Sequence, residues 1–226
     1  MNQSRKGQGI GAYTGGQHRN EIGVMSLAIS NPGHAIEEYL DIERAAEGRH
    51  FYLDGVIYEL AGESLEHGLI STNLTAEVVP QLRGTPCALL SKDMKVRSGP
   101  EPFPQHSKKG LFSYPDLVVI CGEVRFHDMH RDVVLNPNVI IEVLSESTEA
   151  FDRGERFLRY KKWNPTLTDY LLVSQRVPVV EHSIRQEDEG WMTYVHRGLD
   201  QIVEIESLNV KLALSLVYER IKFSDV

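Results

Sequence analysis

Two segments of the chain repeat apolar residues at helical spacing. They are residues 35–46 and residues 65–82, and Pro80 and Gly84 mark the end of the second. Because three- and four-residue steps place side chains on one face of a helix, the pattern predicts a helix in each segment. The predicted inner faces are Ile36, Tyr39 and Leu40 in the first, and Leu69, Ile70, Leu74, Val78 and Leu82 in the second.

Shorter apolar runs indicate strands. Residues 51–53 and 56–60 flank Asp54-Gly55, a turn pair typical of a tight hairpin. Further runs rich in Val, Ile, Leu and Tyr follow the second helix, so the chain changes from helical to strand periodicity there. The strands predicted from these runs are residues 87–97, 116–121, 139–144, 170–174, 179–184 and 192–196.

The remaining segments complete an α/β pattern. Residues 98–110, rich in Pro, Gly, Lys and Ser, predict a loop. A helix is predicted to follow Ser145–Thr148 and to end at Asn164-Pro165, and another over residues 213–221. We therefore expect a mixed α/β sheet in a single domain over residues 31–226, preceded by a flexible, glycine-rich leader over residues 1–30.

Composition narrows the class of protein. The 226 residues are 41% hydrophobic and 25% charged, which is enough apolar material for a sizeable core. No run approaches the roughly 18 apolar residues of a membrane span, and no signal-peptide pattern begins the chain, so we expect a cytoplasmic protein. A net charge of −8 argues against broad, non-specific binding of nucleic acid, which depends on neutralising phosphates. Cys87 and Cys121 are interpreted as small buried hydrophobic residues without a disulfide.

Two isolated acids carry the candidate chemistry. Glu142 lies inside an apolar strand, and Asp116 stands at the head of another, 26 positions earlier. Burying a carboxylate costs several kcal/mol or more unless a partner or a metal compensates. If the two strands pair, both acids and the backbone carbonyl of Val143 can bind one Mg²⁺, which prefers hard oxygen ligands. The structural alternative is a buried ion pair of Glu142 with Arg156 or Arg159.

The ordered motifs around these acids resemble a known family. They are Tyr114-Pro115-Asp116, Ile141-Glu142-Val143-Leu144-Ser145-Glu146-Ser147-Thr148, Asp152-Arg153-Gly154-Glu155-Arg156-Phe157 and Tyr160, with Tyr52-Leu53-Asp54-Gly55 before them and Tyr170-Leu171-Leu172-Val173-Ser174-Gln175 after. Together they are similar to the Uma2 family of the PD-(D/E)XK nuclease superfamily. The resemblance covers residues 36–223. It implies a restriction-endonuclease-like fold, in which helices flank a central mixed β-sheet, and a Mg²⁺ site at Asp116 and Glu142.

The resemblance also shows where this chain departs from the family. Leu144 occupies the position of the superfamily's lysine, and Arg156 stands where the family carries a lysine on the following helix. Asp152, Arg156 and Tyr160 recur every four residues, so Arg156 is predicted to face the acids. Arginine stays protonated, so it can stabilise a phosphate's charge but cannot accept a proton.

Several other charged residues are weaker candidates. His67 resembles the family's histidine near a helix start, where it can touch a phosphate, orient a metal-bound water or simply pack. Asp93 and Lys95 are interpreted as a solvated pair on a strand, although Lys95 can also stand in for the absent lysine. Lys108-Lys109 and Lys161-Lys162 can contact a nucleic-acid backbone; for the second pair, the C-terminus of a helix is explanation enough.

These observations leave three hypotheses. The first is a Mg²⁺-dependent endonuclease acting on DNA, with Mn²⁺ as a substitute, as a homodimer matching the two-fold symmetry of the duplex. Its site residues are Asp116, Glu142, Arg156 and His67, with Asp116, Glu142 and Val143 on the metal. The second is a catalytically lapsed nuclease fold that binds nucleic acid or regulates. The third is a structural ion pair without a nucleic-acid role.

Overall fold

The computed structural model of the protein describes residues 33–223. The predicted leader over residues 1–30 lies outside the described residues. The helices are α1 (Ile36–Ala45), α2 (Leu65–Leu82), α3 (Glu149–Phe151), α4 (Phe157–Trp163) and α5 (Leu214–Val217), with a π-helical turn (Asp152–Arg156) joining α3 to α4 and a 3₁₀ turn at Glu206–Leu208. The strands are β1 (His50–Leu53), β2 (Val56–Glu59), β3 (Cys87–Ser91), β4 (Lys95–Ser98), β5 (Leu111–Ser113), β6 (Leu117–Cys121), β7 (Val133–Val134), β8 (Val139–Leu144), β9 (Asp169–Ser174), β10 (Val179–Arg185), β11 (Trp191–Arg197), β12 (Ile202–Ile205) and β13 (Val210–Ala213).

Within residues 33–223, a six-stranded sheet in the order β11-β10-β9-β8-β6-β3 forms the centre of the molecule. β8 and β9 are parallel, and the other neighbours are antiparallel, so the sheet is mixed. The helix of residues 149–163 connects β8 to β9, as a crossover between parallel strands requires. This architecture confirms the predicted mixed α/β fold.

A second sheet, in the order β2-β1-β5-β4-β7, packs with the helix of residues 149–163 on one face of the central sheet. Helix α2, the β12–β13 hairpin and α5 cover the other face. Alternation along the strands divides their side chains between these two cores. Leu117 and Ile141 point towards α2, whereas Val118 and Ile140 point towards the helix of residues 149–163.

Several predicted elements are confirmed, and others are wrong in extent. The hairpin around Asp54-Gly55 and the two N-terminal helices form as expected. The single strand predicted over residues 87–97 is two strands in different sheets, because the chain turns at residues 92–94. The closing helix predicted over residues 213–221 is only the short α5. Strands β5, β7, β12 and β13, each four residues or fewer, were not predicted.

The expectation for the two cysteines is also wrong. Cys87 of β3 and Cys121 of β6 form a disulfide. The antiparallel register of these strands places the two residues directly opposite each other. Since they are 34 residues apart in sequence, only the strand pairing brings them together. In the part of the chain that is described, no helix has both the length and the apolar composition needed to cross a membrane.

Asn164 connects the end of the helix of residues 149–163 to the second sheet. Its side chain is fully buried, and its amide donates hydrogen bonds to the backbone carbonyls of Arg97 (2.9 Å) and Leu135 (3.4 Å). Its side-chain oxygen accepts a hydrogen bond from the Ser98 hydroxyl. One amide thus satisfies several groups that water cannot reach, and it positions the helix that carries Arg156.

We expect Asn164→Ala to lower the free energy of unfolding by about 1–3 kcal/mol, because it leaves buried carbonyls without a donor. Urea unfolding of the purified protein measures this loss. Asn73→Ala is the matched control, since Asn73 also donates to two backbone carbonyls but is partly exposed. Water can replace its bonds, so we expect a smaller loss, of about 1 kcal/mol or less. Equal losses for the two variants would contradict the role assigned to Asn164.

Candidate active site

A cleft of about 720 Å³ opens where β6 begins and β8 ends, beside the first turn of α2. Asp116, Glu142, Val143, Arg156 and His67, the predicted site residues, all line it. Among the described residues of its lining, five are acidic and three are basic. The acidic ones are Glu63, Asp116, Glu142, Glu146 and Asp152, and the basic ones are Arg49, Lys92 and Arg156. The cleft therefore favours cations.

Strand pairing brings the two predicted acids together. Leu117 pairs with Ile141, so the next positions outward are Asp116 and Glu142, on the face that packs against the helix of residues 149–163. The Asp116 amide lies 3.4 Å from Glu142 Oε2. The Val143 amide donates to Asp116 Oδ2 at 2.7 Å. The N–H and C=O of one strand residue face the same neighbour, so the Val143 carbonyl also faces the Asp116 side. The role of these groups as metal ligands stays a prediction.

Arg156 lies between two buried carboxylates. Its Nη1 is 2.9 Å from Glu142 Oε1 and 2.8 Å from Asp152 Oδ1, and the residue is only 4% exposed. Asp152 and Arg156, four residues apart, are the first and last residues of a π-helical turn and still contact each other. Such turns often occur at functional sites. The ion pair weighed for Glu142 therefore exists with Arg156. Arg159 instead pairs with Asp54 and Glu155, each at 2.6 Å.

One guanidinium does not balance the negative charge around it. Burial raises the pKa of Glu142 well above its ordinary value; Arg156 opposes the shift, while Asp152 and Asp116 add to it. Burial also raises the pKa of Asp152, again against the effect of Arg156. Burial alone would lower the pKa of Arg156, but the two carboxylates outweigh it and raise that pKa well above its ordinary range. The site thus carries an excess of negative charge that an added cation can relieve.

His67 holds Asp116 from the opposite side. Ser64 caps α2 by accepting the His67 amide at 3.1 Å, and this places the imidazole over the cleft. His67 Nε2 lies 2.8 Å from Asp116 Oδ1. Burial lowers the pKa of His67, but the hydrogen bond and charge of Asp116, together with Glu63, raise it overall. The geometry places His67 against Asp116, and its expected contact with a phosphate or a metal-bound water stays a prediction.

Two site residues were not recognised in the sequence. Glu63, just before α2, joins His67 and Asp116 in a group whose potential ligand atoms all lie within 4.8 Å of one another. Lys92 Nζ, from the turn between β3 and β4, lies 2.6 and 2.7 Å from the two Glu63 oxygens. One signal was available in the sequence: Glu63 directly precedes Ser64, the N-cap of α2, and lies four residues before His67. Nothing near Lys92 in sequence indicated its position.

The residues present fit a divalent cation. Glu142 Oε1 is buried and has no hydrogen-bond partner in the described part of the chain, since Arg156 lies close to it but in an unfavourable direction. Such an orphaned carboxylate oxygen is costly unless another group binds it. Asp116 and Glu63 supply further carboxylate oxygens beside it. Hard oxygen donors of this kind are the ligands preferred by Mg²⁺.

The remaining candidates lie elsewhere. Lys95 does not form a solvated pair: it is 5% exposed, and its ammonium contacts Asp132 (3.1 Å) and the Tyr114 hydroxyl (3.2 Å). It is not part of the group around Asp116, and Leu144, in the superfamily's lysine position, is buried in the core. Lys109 and Lys162 both approach the ring of Trp163, at 6.0 and 5.0 Å from its centroid.

Comparisons with known proteins agree with this geometry. Residues 36–216 match the model of the Uma2 family, described as "Putative restriction endonuclease". The uncharacterized protein slr1290 of Synechocystis is 31% identical over 187 residues, which cover 83% of this chain and 92% of that protein. A second Synechocystis protein, sll1609, is 28% identical over 173 residues, covering 76% of this chain and 93% of its own.

A solved structure has the same fold. It is a crystal structure from Anabaena variabilis, described as a putative nuclease belonging to DUF820. It superposes with a TM-score of 0.64 and 14% sequence identity, and the match covers 84% of this chain and all of the other. At 14% identity the similarity shows the fold alone.

The excess of negative charge predicts opposite effects for two substitutions. At pH 7 in the absence of metal, Glu142→Gln should raise the free energy of unfolding by about 1–3 kcal/mol, because it removes an incompletely compensated buried charge. Arg156→Met should lower it by about 3–5 kcal/mol, because it leaves buried carboxylates unpaired. Urea unfolding in a chelating buffer measures both.

The pH dependence separates charge from packing. A carboxyl whose pKa rises on folding holds its proton more tightly in the folded state, so stability falls as the pH rises through the interval between the two pKa values. For Glu142 that interval begins at 4.5, its ordinary value. The advantage of Glu142→Gln over the wild type should therefore grow as the pH is raised above 4.5. A Glu142→Gln protein as unstable as Arg156→Met would contradict this charge balance.

Proposed function

The chain belongs to the Uma2 family of restriction-endonuclease-like proteins, and on that premise we propose that it is a Mg²⁺-dependent endonuclease that hydrolyses phosphodiester bonds in DNA. The observation that carries the proposal is the convergence of Asp116 and Glu142 in an open cleft, beside a buried carboxylate oxygen that lacks a hydrogen bond. A structural ion pair alone does not require an open cleft lined by further carboxylates.

In this proposal Asp116, Glu142 and the Val143 carbonyl hold the cation, and Glu63 is an additional carboxylate within reach of Asp116. When bound, Mg²⁺, or Mn²⁺ in its place, polarises a phosphate and makes a water molecule a stronger nucleophile. The protein's own groups prepare the site. The Val143 amide and His67 each bond one oxygen of Asp116, so that carboxylate is fixed in orientation.

Arg156 acts by charge within this proposal. Because it lies between Glu142 and Asp152, its positive charge opposes the rise in the pKa of both carboxyls. It remains protonated, so it does not remove a proton from water. Its small exposed area also limits its direct contact with a phosphate.

DNA as substrate agrees with the distribution of charge. Phosphates are repelled by an acidic cleft unless a cation is bound there, so metal and substrate are expected to bind together. Outside the cleft, Lys109, Lys162 and Trp163 form a basic and aromatic cluster at the end of α4, whose chemistry suits a nucleic-acid backbone. A homodimer, matching the symmetry of a duplex, and a cytoplasmic setting belong to the same proposal.

A second function is favoured by one observation. The enclosed position of Arg156, together with the buried Leu144, leaves neither of the family's two lysine positions with a group able to accept a proton. A catalytically lapsed protein that binds nucleic acid or regulates another activity would not need a proton-accepting group at these positions. It would keep the fold and the cleft but would not cut.

The first test is cleavage of supercoiled plasmid, linear duplex and single strands with Mg²⁺ or Mn²⁺. We expect metal-dependent cutting by the wild type and at least a hundredfold loss in Glu142→Ala, on the scale of removing a key electrostatic group. Lys211→Gln, at an ion pair with Glu204 outside the cleft, is the control and should cut normally. An absence of cutting by the wild type would favour the lapsed protein, whereas full activity of Glu142→Ala would exclude Glu142 as the essential ligand.

Arg156→Lys tests the second function directly. If Arg156 serves only to balance charge, lysine should leave cleavage unchanged or lower it, because a single ammonium cannot reach both carboxylates as a guanidinium does. The same plasmid assay measures this. A large gain in cleavage would show instead that arginine at this position had disabled the enzyme.

A further inference from the structure

Of the basic side chains that line the cleft within residues 33–223, that of Lys92 is the most exposed. Arg156 is enclosed by its two carboxylates, and Arg49 is held by the Lys92 backbone carbonyl (3.0 Å) and by Asp93 (3.5 Å). The Lys92 side chain is 41% exposed, compared with 36% for Arg49, and it extends from a turn. Its backbone is anchored by Arg49 while its four-carbon stem remains flexible.

The Lys92 ammonium pairs with the carboxylate of Glu63, which a metal ion in the cleft would also bind. Its ammonium contacts both oxygens of Glu63. Glu63 also belongs to the group with His67 and Asp116 whose potential ligand atoms lie within 4.8 Å of one another. An ammonium on both oxygens competes directly with a divalent cation, since the two positive charges repel each other and seek the same lone pairs.

The orphaned oxygen of Glu142 independently indicates that this place accepts a cation. It is buried and lines the same cleft as Glu63 and Asp116, yet it has no hydrogen bond within residues 33–223. Lys92, occupied with Glu63, does not satisfy it. At the rim of the cleft Lys92 thus pairs with Glu63, whereas in its depth the single guanidinium of Arg156 faces two carboxylates.

We propose that Lys92 is an internal counter-cation of the metal site: it holds Glu63 in the metal-free protein, a divalent cation displaces it, and the freed ammonium pairs with a phosphate in the cleft. This inference rests on the proposed function, because it uses the same metal site. It gives the cleft a mobile phosphate-binding cation, a role for which Arg156 is too enclosed.

In this proposal the binding of metal and the binding of phosphate are coupled in both directions. A metal on Glu63 releases Lys92 for phosphate, and a phosphate that holds Lys92 leaves Glu63 free for metal. By linkage, each ligand must strengthen the binding of the other by the same factor. Loss of the lysine should therefore tighten the binding of metal alone and weaken the coupling between metal and phosphate.

The test is calorimetric titration of the full chain with Mn²⁺ alone, for the wild type, Lys92→Gln and Lys211→Gln. The control Lys211→Gln removes a similar exposed ion pair (2.7 Å to Glu204) and the same charge, but outside the cleft. We expect the Kd for Mn²⁺ to fall about two- to fivefold in Lys92→Gln, the effect expected of a partly exposed ion pair, and to stay unchanged in the control.

A second titration uses thymidine 5′-monophosphate, which has no internal phosphodiester to cut, with and without Mn²⁺. Mn²⁺ should strengthen its binding in the wild type, and by a smaller factor in Lys92→Gln. An unchanged or weaker Mn²⁺ affinity in Lys92→Gln overturns the role of Lys92. An absence of Mn²⁺ binding in all variants overturns that role and the proposed metal site together. The expected Mn²⁺ results without DNA cleavage would instead support Lys92 and refute the nuclease.

Discussion

The buried contact of Glu142 with Arg156 is the constraint on which the rest of this molecule depends. It joins β8, in the middle of the central sheet, to the helix that crosses from β8 to β9. Burying these charges costs free energy. Arg156 offsets only part of that cost for Glu142, because its guanidinium also pairs with Asp152. The helix must therefore keep its position, and Asn164 secures its far end to the second sheet.

The same imbalance that costs stability creates a place for a cation. Several carboxylates surround one enclosed guanidinium, and among the described residues of this cluster two buried carboxylate oxygens, Glu142 Oε1 and Asp152 Oδ1, have no hydrogen bond. A protein selected for stability alone would replace such a cluster with apolar side chains. Its presence at the base of an open cleft is the charge arrangement on which the proposed cation site rests.

The cleft is assembled from parts that are distant in sequence. Asp116 comes from the start of β6 and Glu142 from β8, while His67 begins α2 and Lys92 belongs to the turn between β3 and β4. Each group is oriented by a neighbour from another element, as His67 and the Val143 amide orient Asp116. Glu142 lies within a strand and Asp116 directly precedes one, whereas Lys92 lies in a turn, so the acidic base of the cleft is held by the central sheet and its rim by a loop.

The sequence by itself determined those features that depend on local periodicity. Alternation placed Asp116 and Glu142 each on a defined face of its own strand, four-residue spacing aligned Asp152 with Arg156, and the ordered motifs around them identified the family. Tertiary structure decided the rest: the separation of β3 and β4 into two sheets, the Cys87–Cys121 disulfide, the enclosure of Arg156, and the meeting of Glu63 with Lys92. These depend on strand register and on packing between distant segments. Periodicity specifies which face a side chain occupies, but the residue opposite it is chosen only when the sheets and helices pack together.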